Sequence, residues 1–180
     1  MIELPQIDRT KSKNWQGVVI HHSATLDGRL NDWEGIRRYH TSWRHLGTII
    51  TQEKGEMLLA KGDKDVISPW KDVGYHFGIE TDGTELKIKQ GRNLGASGAH
   101  CVGFNDSHIG VCVVGNFDVE VPSLEKWSLA LRFVSVLLEI YNFKKERVIG
   151  HRESFTIRGV PVQKSCPGIL WNMEKFRTEL

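Results

Sequence analysis

No run in this sequence approaches the roughly 18 consecutive apolar residues that a membrane-crossing helix needs, so no membrane partner is expected. The first residues, MIELPQIDRTKSKN, have neither a basic start followed by an apolar stretch nor a cleavage pattern. The expectation is a chain made in the cytoplasm without a signal peptide. Cysteine is scarce: three residues, an odd number without paired spacing, argue against a disulfide framework and fit a reducing compartment. A surplus of one charge is missing too. The net charge is only +2, and Lys and Arg are scattered rather than striped, so nucleic acid is not an expected partner.

What is there fits one core. With 180 residues, 39% hydrophobic and 26% charged, the chain is expected to form a single domain over residues 1–180. Residues 18–22 are short, continuous and β-branched, which reads as a buried strand. Asn31 or Asp32 is suited to cap a helix with Trp33, Ile36, Arg37 and His40 on one face. Residues 48–69 read as a hairpin around Glu53-Lys54-Gly55 followed by a charged loop. A strand at 75–79 is expected to turn at Asp82-Gly83 into a second at 85–89. Residues 91–107, rich in glycine and asparagine, read as a long functional loop. After a strand at 109–114, Ser123 is placed to cap a helix reaching about Phe143. Its expected inner face carries Leu124, Trp127, Leu131, Val134, Leu138 and Tyr141, widened by Ala130, Phe133, Leu137 and Ile140. A short strand before His151 and an amphipathic helix over 169–180 close the chain. Strands and helices alternate without repeats or linkers, which predicts an α/β fold with a central mixed sheet flanked by helices.

Chemistry concentrates in residues 148–168. His151 stands at a strand end and Cys166 fifteen positions later, after an expected loop rich in Gly, Pro and Arg and ahead of Pro167-Gly168, with Lys164 between them. An imidazole and a thiolate are soft ligands suited to zinc. A third ligand is available where the 18–22 strand runs into His21-His22. Successive strand side chains point to opposite faces, so one of the two can join the pair. Periodicity leaves open which.

Six separated segments carry a resemblance: Val19-Ile20-His21-His22-Ser23-Ala24-Thr25; Val73-Gly74-Tyr75-His76-Phe77; Gly98-Ala99-His100 with Phe104-Asn105; Ile109-Gly110-Val111-Cys112-Val113-Val114-Gly115-Asn116; Gly150-His151-Arg152-Glu153; and Lys164-Ser165-Cys166-Pro167-Gly168. Together they resemble the zinc-dependent type 2 N-acetylmuramoyl-L-alanine amidases. The resemblance is closest to the short phage lysozymes with amidase activity and extends to the peptidoglycan recognition proteins.

The resemblance implies one zinc ion held by His21, His151 and Cys166, with Tyr75 and Lys164 as catalytic side chains. It implies that His100 and Asn105 line the groove and touch the substrate, which would be peptidoglycan or a muramyl-peptide. The implied protein is a monomeric phage or prophage endolysin that acts on the cell wall after release. The chain departs from the family at about 48–69, where members usually need only a few residues, so an insertion is expected at the cleft rim. Of the remaining histidines, His22 is expected to pack or hydrogen-bond beneath the site and His76 to pack on the far side of its strand. His40 could reach the groove but is expected on a solvated helix face, and His45 and His108 are expected at the surface. Cys112 reads as a small core residue, and Cys101 lies in a polar loop without a motif.

Competing readings are a non-catalytic peptidoglycan-binding module, a cytosolic muropeptide-recycling amidase, a thiol peptidase with Cys166 as nucleophile and His151 as base, and a structural zinc site, which would want four protein ligands.

Overall fold

The β-branched run Val18-Val19-Ile20 lies in β1 (Gly17–His22), all six residues of which are buried. These coordinates are a computed structural model that describes residues 4–25 and 32–180. Strand β1 is continuously apolar rather than alternating because strands flank it on both sides and both its faces are covered. Asp32 caps α1 (Trp33–His40), accepting a hydrogen bond from the Gly35 N–H at 2.7 Å; Asn31 lies outside the described residues.

Residues 44–67 differ from expectation. Strand β2 (Arg44–His45) pairs antiparallel with both β3 (Thr48–Ile49) and β4 (Val66–Ile67), and helix α2 (Gln52–Ala60) stands where a hairpin turn was expected. Thr51 caps that helix through its hydroxyl, and Gly55 is helical rather than a turn because the Trp43 indole lies against it. A Cβ on Gly55 would sit 2.4 Å from that ring.

The hairpin of β5 (Phe77–Asp82) and β6 (Glu85–Gln90) forms as expected, one position along: Asp82 pairs with Glu85, leaving Gly83 and Thr84 as the turn. Gly83 has φ +66°, the left-handed conformation such a turn favours. Strand β7 (His108–Val113) follows the long irregular stretch 91–107. Ser123 caps α3 (Leu124–Tyr141) as expected, and Asn142 ends it in the left-handed conformation.

The inner face of α3 is rotated from the expected one. Leu129, Ala130, Phe133, Val134, Leu137 and Tyr141 are buried, whereas Leu124 is 82% exposed. Apolar residues occupy so much of this helix that its sequence admits several faces; the edge-to-face contact of Phe133 with Phe77, 4.8 Å between centroids, marks the one adopted.

After β8 (Val148–Gly150) the chain enters α4 (His151–Ile157), where a loop was expected, and closes with α5 (Met173–Glu179). Helix α4 is held from outside itself: the Glu153 carboxylate accepts from the Gly150 N–H at 2.7 Å and pairs with Arg177 of α5 at 2.9 Å. The main sheet has the order β6-β5-β7-β1-β8, with β6 antiparallel to β5 and the other pairs parallel. This is the mixed sheet flanked by helices that the alternation of elements predicted.

Two histidines are built in as neutral groups at the starts of interior strands β5 and β7. His76 is fully buried; its Nε2 donates to the Ala96 carbonyl at 3.1 Å and its Nδ1 accepts from the Gly110 N–H at 2.9 Å. His108 is 5% exposed, not the surface residue expected, because it opens β7 beneath the aromatic ring of Phe104. Burial lowers the pKa of each from 6.5 to about 4.

The unfolded chain therefore takes up protons that the folded one refuses between those two values, and stability present above pH 6.5 is lost as pH falls toward 4. For His76 alone the loss by pH 4 is roughly 3 kcal/mol at about 1.4 kcal/mol per pH unit. Urea unfolding at pH 7, 5.5 and 4 should follow that decline. A flat profile across the window would exclude it.

Candidate active site

Sheet register assembles the site. His21 near the end of β1 pairs with Cys112 of β7, and Ile20 pairs with Gly150 of β8, so His21 lies beside the point where β8 turns into α4 and presents His151. His22 packs beneath the site as expected: its Nδ1 accepts from the Phe117 N–H at 3.1 Å. Of the adjacent pair, His21 is the residue that joins His151 and Cys166.

Cys166 is held from two sides. The Arg152 N–H donates to the Cys166 carbonyl at 2.7 Å, and the Arg152 guanidinium donates to the carbonyls of Ser165, Gly168 and Trp171. On the other side the Ser165 hydroxyl donates to Asp118 at 2.7 Å.

The ligand atoms of His21, His151 and Cys166 lie within 4.8 Å of one another, and Cys166 Sγ is 3.6 Å from His21 Nδ1. A tetrahedral zinc with bonds of about 2.3 Å to sulfur and 2.0–2.1 Å to nitrogen would hold those two atoms about 3.6 Å apart. The donor set therefore fits such an ion, with the widest separation closing by about an ångström. Among the described residues this cluster has three members, and all three line one cavity.

Burial sets the protonation of the cluster. It holds His21 well below the usual histidine range, with His100 and His151 adding to the effect. It lowers His151 to about 4, helped by Lys164, and pushes the Cys166 thiol up to about 12. At neutral pH both imidazoles offer lone pairs, and a bound cation must displace the thiol proton.

The cavity has a volume of ≈ 460 Å³, and its walls include all three residues together with Tyr75, His100 and Lys164. A neighbouring hollow of ≈ 470 Å³ shares His100, His151 and Lys164, and extends to Asn105 and Phe155. Tyr75 stands just before β5 with its ring 5.0 Å from that of His21. Burial, then the Cys112 and Cys166 sulfurs, raise its pKa, so the phenol keeps its proton. Lys164 is exposed at the rim, and its positive charge is felt by His151 and Cys166.

His100 is 9% exposed, and its Nδ1 lies 3.0 Å from His21 Nε2. The Asn105 side-chain oxygen accepts from the N–H groups of His100 and Cys101 at 2.7 and 2.8 Å, closing the turn that carries His100. Cys101, expected in a polar loop, is buried against Val19 and Ile149.

His40 is a correction. It stacks on Trp70 at 4.7 Å, accepts from the Gly74 N–H through Nδ1 at 3.1 Å and lines the cavity. Burial, with Arg44 and Arg92 nearby, lowers its pKa to about 4. The signal was present in the helix periodicity, which puts His40 on the same stripe as buried Trp33. Trp70, the other wall of this pocket, had no local signal.

The chain is similar to several known proteins. The endolysin of Klebsiella phage KP32 is 47% identical over 117 residues, 65% of this chain and 59% of that protein. Three other phage endolysins match over 30 to 50% of their own lengths. In fold, the amidase LysC from Clostridium intestinale superposes with a TM-score of 0.58 at 21% identity, covering 99% of this chain and 93% of that one. Peptidoglycan recognition protein LE, in complex with tracheal cytotoxin, a monomeric diaminopimelic acid-type peptidoglycan, superposes with a TM-score of 0.60 at 22% identity, covering 98% and 82%. The family model described as N-acetylmuramoyl-L-alanine amidase matches residues 11–169, and the chain belongs to that family.

Proposed function

We propose that this chain hydrolyses the amide joining the lactyl group of N-acetylmuramic acid to the L-alanine of the stem peptide in peptidoglycan, using one zinc ion held by His21, His151 and Cys166. The observation that carries the reading is a three-ligand cluster open to a cavity that also holds Tyr75 and Lys164. Bound there, zinc would supply an activated water, its pKa lowered from about 15.7 towards about 7, and Lewis-acid polarisation of the scissile carbonyl.

The chain's own residues do the rest. The Lys164 ammonium, at the rim of the cavity, stabilises the negative charge that develops on the carbonyl oxygen. Tyr75 acts as a hydrogen-bond donor, because its raised pKa makes it a poor base at neutral pH. Trp70 and His40 form an aromatic wall that orients the muramyl-peptide, and Asn105 holds the opposite wall in shape.

A thiol peptidase is disfavoured by the direction of the Cys166 shift: a nucleophilic thiol needs a lowered pKa, and this one is raised. A structural zinc site would close the fourth position with another protein ligand. The phage endolysins among the relatives support action on the cell wall as an endolysin, in preference to recycling of soluble fragments.

Purified peptidoglycan incubated with the protein should yield soluble stem peptides with a free L-alanine N-terminus and intact glycan strands, detected by mass spectrometry. Chelation should stop the release and added zinc restore it. Binding without release would leave the binding-module reading in its place. Faster turnover of small muramyl-peptides than of intact wall would favour the recycling one.

A further inference from the structure

The His21 imidazole has a second nitrogen, and what that nitrogen touches bears on the site. His21 Nε2 lies 3.0 Å from His100 Nδ1, and His100 Nε2 lies 3.2 Å from the backbone carbonyl oxygen of His108. A carbonyl oxygen can only accept, so His100 Nε2 carries a proton. An imidazole that spends its one proton on that carbonyl has a lone pair on Nδ1. That lone pair accepts the His21 Nε2–H, and the His21 lone pair is then on Nδ1, the atom 3.6 Å from Cys166 Sγ. We infer that His100 is a positioning residue: it relays the directionality of one backbone carbonyl on β7 to His21 and locks His21 in the tautomer whose Nδ1 is free to bind the metal.

The seat of His100 is built for a ring. Gly98 and Gly110 face it, and a Cβ on either would lie 2.3 or 2.6 Å from its Cδ2. Asn105 fastens its backbone N–H, and the His76 ring lies 5.7 Å away at a steep angle. Metal-binding histidines usually give their other N–H to a carboxylate, a carbonyl or water. Here the acceptor is a neutral imidazole, so the relay orders His21 without adding charge to the site. Both ring nitrogens of His100 are engaged, so neither is left to hydrogen-bond a bound muramyl-peptide.

This inference rests on the reading of His21 as a metal ligand, and the test separates the two. Long-range ¹H–¹⁵N spectra of the metal-free full chain should show His21 and His100 protonated on Nε2 and bare on Nδ1. A His100 protonated on Nδ1 would overturn the relay whether or not zinc binds. In chelator competition, His100→Leu, which fills the seat without an acceptor, should weaken zinc binding about 10- to 100-fold. His100→Asn, which returns an acceptor near the position of Nδ1, should stay within about threefold of wild type. Unchanged affinity in His100→Leu, or equal loss in both variants, would overturn the inference. Wild-type protein that fails to bind zinc would sink the metal reading, while its spectra would still decide the relay.

Discussion

Exchanging Cys166 for serine is expected to strip the site of its ion and to bring release of stem peptides from purified wall to below about a thousandth of the wild-type rate. Serine is nearly isosteric, but its hydroxyl does not ionise at neutral pH, so the site loses its one anionic ligand and keeps two neutral imidazoles. The surrounding loop should survive, because it is held by Arg152 and by Ser165 on Asp118 rather than by the sulfur. Zinc per chain by atomic absorption, with the melting temperature of the metal-free form as a check on folding, separates the outcomes. A variant that keeps stoichiometric zinc but loses all activity would revive Cys166 as a nucleophile. One that keeps both would remove it from the site.

Truncating Lys164 to alanine should lower kcat about 100- to 1000-fold, the roughly 2.7–4 kcal/mol that one oxyanion-stabilising contact contributes, with zinc content unchanged. Lys164 is exposed, so its removal should leave no packing defect. Its charge offsets part of the rise that burial imposes on the Cys166 thiol pKa, so zinc affinity at neutral pH should weaken slightly, and far less than turnover. Lys164→Arg keeps the charge on a differently shaped head and should recover part of the loss. Zinc-free Lys164→Ala protein would show that the residue holds the metal site together instead of acting on substrate.

These two residues and His151 sit in one short stretch of chain, which is why that stretch reads as a candidate site from the sequence alone. The strand ending at His22, the Ser123 cap and the turn near Gly83 were legible for a similar reason: each depends on neighbours a few positions away. Helix α2 was not, since Gly55 looks like a turn residue until the Trp43 ring is seen to require it. Helix α4 was missed because Arg177, near the far end of the chain, supports the Glu153 that caps its start. The half-burial of His40 and the burial of His108 depended in the same way on Trp70 and Phe104.

By itself the sequence determined the alternation of strands and helices, the types of side chain that could hold a metal, and, through six separated motifs, the family. Periodicity left His21 and His22 open and the resemblance implied His21; only the tertiary structure brings His21 to 3.6 Å from Cys166, 145 positions away, and sets His100 behind it. The reason is physical: periodicity and caps are local properties of the chain. Which ring nitrogen faces which sulfur depends on the register of three parallel strands whose pairing no local pattern encodes.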